Sequence, residues 1–110
     1  MIGRLWDGWT SRGNADAYET LLRGEVLQGI RRVRGHAGAY LLRRDAGNEV
    51  EFVTLTLFDS IDAVRAFAGE DHEKAVAPPE ARRLLSRFDE RSAHHQVILE
   101  PPADRPEEKR

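Results

Sequence analysis

The sequence predicts an α+β chain of ferredoxin-like type, βαββαβ, with a four-stranded antiparallel sheet and helices on one face. Three observations predict it. Glu49 to Asp71 (EVEFVTLTLFDSIDAVRAFAGED) alternates like a strand through Val53, Leu55 and Leu57, then turns at Asp59-Ser60 straight into an amphipathic helix. The run Asp45-Ala46-Gly47-Asn48 joins that strand to the one before it as a hairpin. A strand followed by a helix opens the chain, and an apolar run, Val97-Ile98-Leu99, ends its last strand.

Taken in order, Ile2 to Ser11 carries Leu5 and Trp9 on one parity and Ile2, Trp6 and Thr10 on the other, so both faces of this strand are expected to be covered. Asn14 offers an N-cap for a helix whose apolar stripe runs Ala15, Tyr18, Leu22 and Val26, widened by Leu21 and Ile30. Gly24 and Gly29 weaken that helix, which should end between Gly29 and Val33. The second strand runs from Gly35-His36-Ala37-Gly38 through Tyr40, Leu41 and Leu42 to about Arg44, and the third from Val50 to Phe58. Ser60 caps the second helix, whose buried stripe is Ile61, Val64, Phe67 and Ala68, and Gly69 stops it. After an irregular piece, Pro79 starts a short helix through Leu84 and Leu85, and Phe88 to Leu99 forms the last strand. The domain therefore spans residues 1–99, and the charged, proline-rich residues 100–110 read as a disordered tail.

At 110 residues the chain makes one domain. Charged residues make up 33% of it, yet the net charge is only −2, which argues against a nucleic-acid partner. Arg31-Arg32-Val33-Arg34 is best read as the solvated end of a helix. With no cysteine, thiolate nucleophiles, disulfides and cysteine-ligated metals are excluded. No segment resembles a signal peptide or a membrane span, so the expected setting is the cytoplasm, away from any membrane. No Gly-x-Ser-x-Gly elbow, phosphate loop or dinucleotide fingerprint is present. Helices on one face leave a sheet whose other face is still apolar, and a homodimer with sheets packed face to face is the simplest cover.

The segments GRLWDGWT, NADAYETLL, GAYLLRRD, EVEFVTLTLFDSIDAVRAFAGED and RFDERSAHHQV, with the Pro-Pro insertion, together resemble the antibiotic biosynthesis monooxygenase family of dimeric α+β barrels. The resemblance runs from about Gly3 to Leu99 and is most specific at Phe58-Asp59-Ser60. It implies a dimer, a pocket between helices and sheet, and chemistry such as oxygenation of polycyclic phenols without a cofactor. A haem-degrading branch of such barrels uses an Asn on strand one, a Trp in helix two and a His on the following segment. Here Phe67 stands where the Trp is expected, the ligand position falls near Ala77, and strand one has no Asn, so haem degradation is disfavoured.

Three histidines and four aromatics supply the candidate chemistry. His72, among Glu70, Asp71 and Glu73, is either a general base at the pocket mouth or a solvated surface residue. His94 and His95 should point to opposite faces of the last strand and cannot chelate one ion together; His94 is the preferred catalytic candidate with His72. Consecutive acids beside His72 do not offer converging ligands, so no metal and no cofactor is expected. Trp6, Trp9, Phe58 and Phe67 are candidates for a slot that stacks a small aromatic molecule, or else core and dimer packing; Trp6 and Trp9 have opposite parity, so at most one of them lines a given cavity.

Overall fold

The computed structural model describes residues 1–101; residues 102–110, most of the expected tail, lie outside the described residues. Strand β1 (Ile2–Ser11) is central. On one side it pairs antiparallel with β3 (Glu49–Phe58), which in turn pairs with β2 (His36–Ala46). On the other side it meets two short strands, β4 (Leu85–Phe88) and β5 (Ala93–Gln96). The fold class is as expected, with two corrections that make the sheet five-stranded rather than four-stranded. The last strand is not continuous from Phe88 to Leu99, and Leu85 begins a strand rather than ending a helix.

Backbone pairing explains the break. Past Asp89, whose N–H still donates to Asp7 O (3.0 Å), residues 90–92 leave β1 and take the preceding loop as their partner. Ala75 N–H donates to Glu90 O (2.9 Å) and Ser92 N–H to Glu73 O (2.6 Å), with a bridge between Lys74 and Arg91. The ladder along β1 is thus interrupted at Trp6, and the Arg4 side chain reaches the carbonyls of His72 and Lys74 in that loop.

The first helix follows from its apolar spacing. It runs as α1 (Ala15–Leu21), a π-helical stretch Leu22–Val26, and α2 (Leu27–Arg31). Asn14 holds the N-cap position as expected, but its side chain makes no capping hydrogen bond. Ser11 Oγ accepts from Asn14 N–H (3.2 Å) across the 3-10 turn Arg12–Asn14, and Asn14 Nδ2 donates instead to Leu84 O (3.3 Å), tying the helix start to α4 (Pro79–Leu84). Ser60 does cap α3 (Ile61–Ala68), accepting from Ala63 N–H at 3.2 Å, and Gly69 stops it at φ +91°. At the hairpin between β2 and β3, Gly47 supplies the positive φ (+69°) that a two-residue turn requires.

Along the helix-covered face β3 presents Val50, Phe52, Thr54, Thr56 and Phe58. Two core clusters form over its ends. Val50 and Phe52 pack with Ala15, Tyr18, Leu22 and Ala81, and Phe58 packs with Ala63 and Val64. Between them stand the two threonines, whose side chains are too short to reach the helix. A cavity lies there. The opposite face carries Leu5, Val53, Leu55, Leu57, Tyr40 and Leu42, with Tyr40 and Leu42 each 51% exposed.

Candidate functional site

The cavity has a volume of about 310 Å³, near the lower end of small-molecule sites (roughly 300–1,000 Å³). Its floor is the covered face of the sheet (Arg4, Trp6, Thr54, Thr56). Its roof is the first helix, from Tyr18 through the π-helical stretch to Ile30, and Phe67, Ala77 and Ala81 close the sides. The π-helical stretch places Leu22, Glu25 and Val26 on its wall. Such widened turns recur at functional sites. Burial pushes the Tyr18 hydroxyl up to about 12, so it stays protonated.

Arg4 is the charged group of the floor. It is 4% exposed, and its guanidinium is fixed by three hydrogen bonds: Nη1 donates to His72 O and to His94 Nε2 (2.9 Å), and Nη2 donates to Lys74 O (2.9 Å). Its carbon lies 5.4 Å from the centre of the Phe67 ring, a cation–π distance. Burial pushes its pKa down to about 10, which still leaves it charged at neutral pH.

The candidate residues divide by position. Trp6 and Phe67 line the cavity. Trp6 also donates from Nε1 to Asp89 O (2.6 Å), across the break in the sheet edge. Phe58 is fully buried in the second core cluster, packed at 5.7 Å on Phe67, and supports the wall from behind. Trp9 lies on the opposite face, under the Arg87 guanidinium at 3.9 Å.

His94 pairs in register with Arg4, and His95 with Gly3 on the open face. The His72 and His94 rings meet at 5.2 Å, although neither lines the cavity. Because Arg4 can only donate, His94 Nε2 must accept and its proton sits on Nδ1, which is buried without a hydrogen-bond partner among the described residues. Burial first, then the Arg4 charge and then His72, lower the His94 pKa. His94 is therefore neutral at pH 7.

Topology also brings together what local spacing kept apart. Ligand atoms of His72, Glu73 and His94 lie within 4.8 Å of one another. Two imidazoles and a carboxylate suit a divalent transition ion. The Arg4 cation against His94 opposes one there, and Glu73 is already shared with Arg91 (3.3 Å). Arg4 itself was missed from the sequence. The available signal was its parity: it shares a row with Ile2, Trp6 and Thr10, where a charge has to be buried.

The ferredoxin-like domain thus presents an apolar helix–sheet cavity with one fixed cation in its floor. Residues 8–79 match the sequence profile of the antibiotic biosynthesis monooxygenase family, and the chain belongs to that family. No curated protein matches it by sequence. Among solved structures it is similar to the haem degrader MhuD of Mycobacterium tuberculosis with two haems bound (19% identity, 93% of this chain and 100% of that one, TM-score 0.63). It is likewise similar to SnoaB, a cofactor-independent oxygenase of Streptomyces nogalater (18%, 94% and 98%, TM-score 0.57). The monooxygenase ActVA-Orf6 of Streptomyces coelicolor, in complex with nanaomycin D, is a third (17%, 92% and 92%, TM-score 0.60). Among the described residues no helix is long and apolar enough to cross a membrane.

Proposed function

We propose that this protein is a cofactor-independent monooxygenase of a small aromatic or polycyclic substrate, acting in the cytoplasm as a homodimer joined through its open sheet faces. The observation that carries this reading is the cavity over Thr54 and Thr56, walled by Trp6 and Phe67 and lined mostly by apolar side chains. A flat ring system can be stacked and shielded from water there. In the reaction a base removes the phenolic proton, and the electron-rich anion reduces O2 directly. For an anthrone, the ring CH2 becomes C=O: one oxygen atom enters the substrate and the other leaves as water, with all four electrons supplied by the substrate. His94 and His72 are the proposed proton acceptors. Support for His94 is its neutral state; to take the proton its Nε2 must give up the Arg4 hydrogen bond.

O2 uptake with a panel of hydroxylated anthrones and quinols tests the proposal. Uptake is expected for at least one of them and should fall in His94→Ala and His72→Ala; uptake unchanged in both variants removes the mechanism.

A second reading, a dimeric barrel that binds a small apolar metabolite without turnover, is favoured by the position of both imidazoles off the cavity wall. Binding without O2 uptake would establish it. Haem is the least supported ligand, because the position where the resemblance expects an axial histidine falls near Ala77, a buried wall residue whose side chain has no donor atom. A Soret titration checks it.

A further inference from the structure

The three hydrogen bonds of Arg4 all end on neutral acceptors, two carbonyls and an imidazole nitrogen. Among the described residues no carboxylate pairs with it. The acid on the cavity wall, Glu25, is exposed and belongs to the helical roof. Burying a cation without a counter-charge is costly, and folded proteins normally answer it with an acid. Here the fold instead spends three bonds to hold the guanidinium still. A guanidinium has five N–H donors, so two of them, Nε–H and one on Nη2, are left over. Close by, Ser92 lines the same cavity, and its buried Oγ has no hydrogen-bond partner among the described residues. The remaining wall is aromatic, aliphatic or threonine.

We propose that Arg4 is the counter-ion of the cavity's ligand, which is an aromatic oxyanion: a flat apolar body carrying a carboxylate or an ionised phenol, the anion on Arg4 and the rings against Trp6 and Phe67. The inference rests on the small-aromatic reading of the cavity and narrows it to acids. For a phenolic substrate it gives Arg4 a second effect, since a fixed cation beside the oxygen favours the ionised form that reacts with O2. The planar fork suits a carboxylate equally well, through two parallel bonds. Because the guanidinium is already fixed, little ordering remains to oppose binding.

Two matched probes and one indicator decide it. Calorimetric titration of the full chain with 2-naphthoate and with 2-naphthamide compares an anion with its neutral isostere. The naphthoate is expected to bind at least about tenfold more tightly, the scale of one charge-assisted hydrogen bond. In Arg4→Gln that preference should vanish, and in Arg4→Lys it should persist in part. Bound 4-nitrophenol should shift its absorbance toward the phenolate, which separates phenol recognition from carboxylate recognition. Equal binding of naphthoate and naphthamide by the unaltered chain, or no binding of either, overturns the proposal. That comparison holds even where Arg4→Gln fails to fold. The oxygenase reading fails separately: a naphthoate preference lost in Arg4→Gln, with no O2 uptake on any quinol, keeps the anion site and discards the oxygenase.

Discussion

Glu51 and Arg4 are buried charges on neighbouring strands, one on each face of the sheet. Glu51, on the open face, is answered within the fold: Arg44 Nε donates to it at 2.6 Å, and Asp7 sits beside it. Its carboxyl is held below its ordinary value, by the hydrogen bond with Asp7 first and that with Arg44 next. Arg4, on the covered face, has only neutral partners and a cavity in front of it. A charge kept for the structure comes with its own counter-charge. One kept without it, and held rigid, is set up for a ligand. The apolar residues divide the same way: Phe52 and Phe58 close a core on the covered face, while Leu55, Leu57 and Tyr40 keep the open face apolar, the face proposed to receive a second copy.

The contrast can be broken most strongly at Phe58. Truncating this fully buried ring in Phe58→Ala should cost about 3–5 kcal/mol in urea unfolding, at any protein concentration. Leu55→Asp on the open face should cost the isolated fold little. It should oppose association by several kcal/mol, because the two copies would bring like charges together, and light scattering should then report a monomer. An unchanged mass would mean that some other surface forms the dimer. Third, Thr54→Leu fills the gap between the two core clusters. Its stability should change by less than about 1.5 kcal/mol, while naphthoate binding weakens roughly tenfold, since overpacking costs about 1–3 kcal/mol when the site must reopen.

The smallest effect belongs to Asp7. Desolvation first, then the neighbouring Glu51, pushes its carboxyl up to about 6 from an ordinary 3.8. The folded chain therefore holds a proton that the unfolded chain has already lost, and stability falls as pH rises from about 4 to about 6. Glu51 answers in the opposite sense and lower on the scale, its contribution being lost only as pH falls below the ordinary carboxylate range. Asp7→Asn should raise Tm at pH 7 and flatten the slope between pH 4 and 6. A Tm that drops instead would show that the ionised Asp7 is needed.

Much of this was legible in the chain. Strand-to-helix continuity at Ser60, the hairpin at Gly47 and the apolar stripes depend on neighbours in sequence, and the structure has them where expected. The break in the last strand was not, because it depends on residues 73–75 competing for the backbone of 90–92, a pairing that no local pattern announces. The site was half legible. Trp6 and Phe67 follow from parity and helical spacing. The meeting of His72 with His94 depends on how the edge strand returns across β1. Arg4 and the threonine pair were readable and unread: a charge and two short polar side chains, each in a row of large apolar ones, mark where a core has been interrupted.

Trp6 and Trp9 are three residues apart on one strand and therefore face opposite ways, one into the cavity and the other onto the open sheet under Arg87. These are the only two indoles of the chain. Their emission thus comes from two reporters that do not share an environment. In a Trp9→Phe background the remaining fluorescence follows occupancy of the cavity; in Trp6→Phe it follows dilution of the proposed dimer. Ligand capture and self-association can then be watched separately in a single cuvette, without any added label.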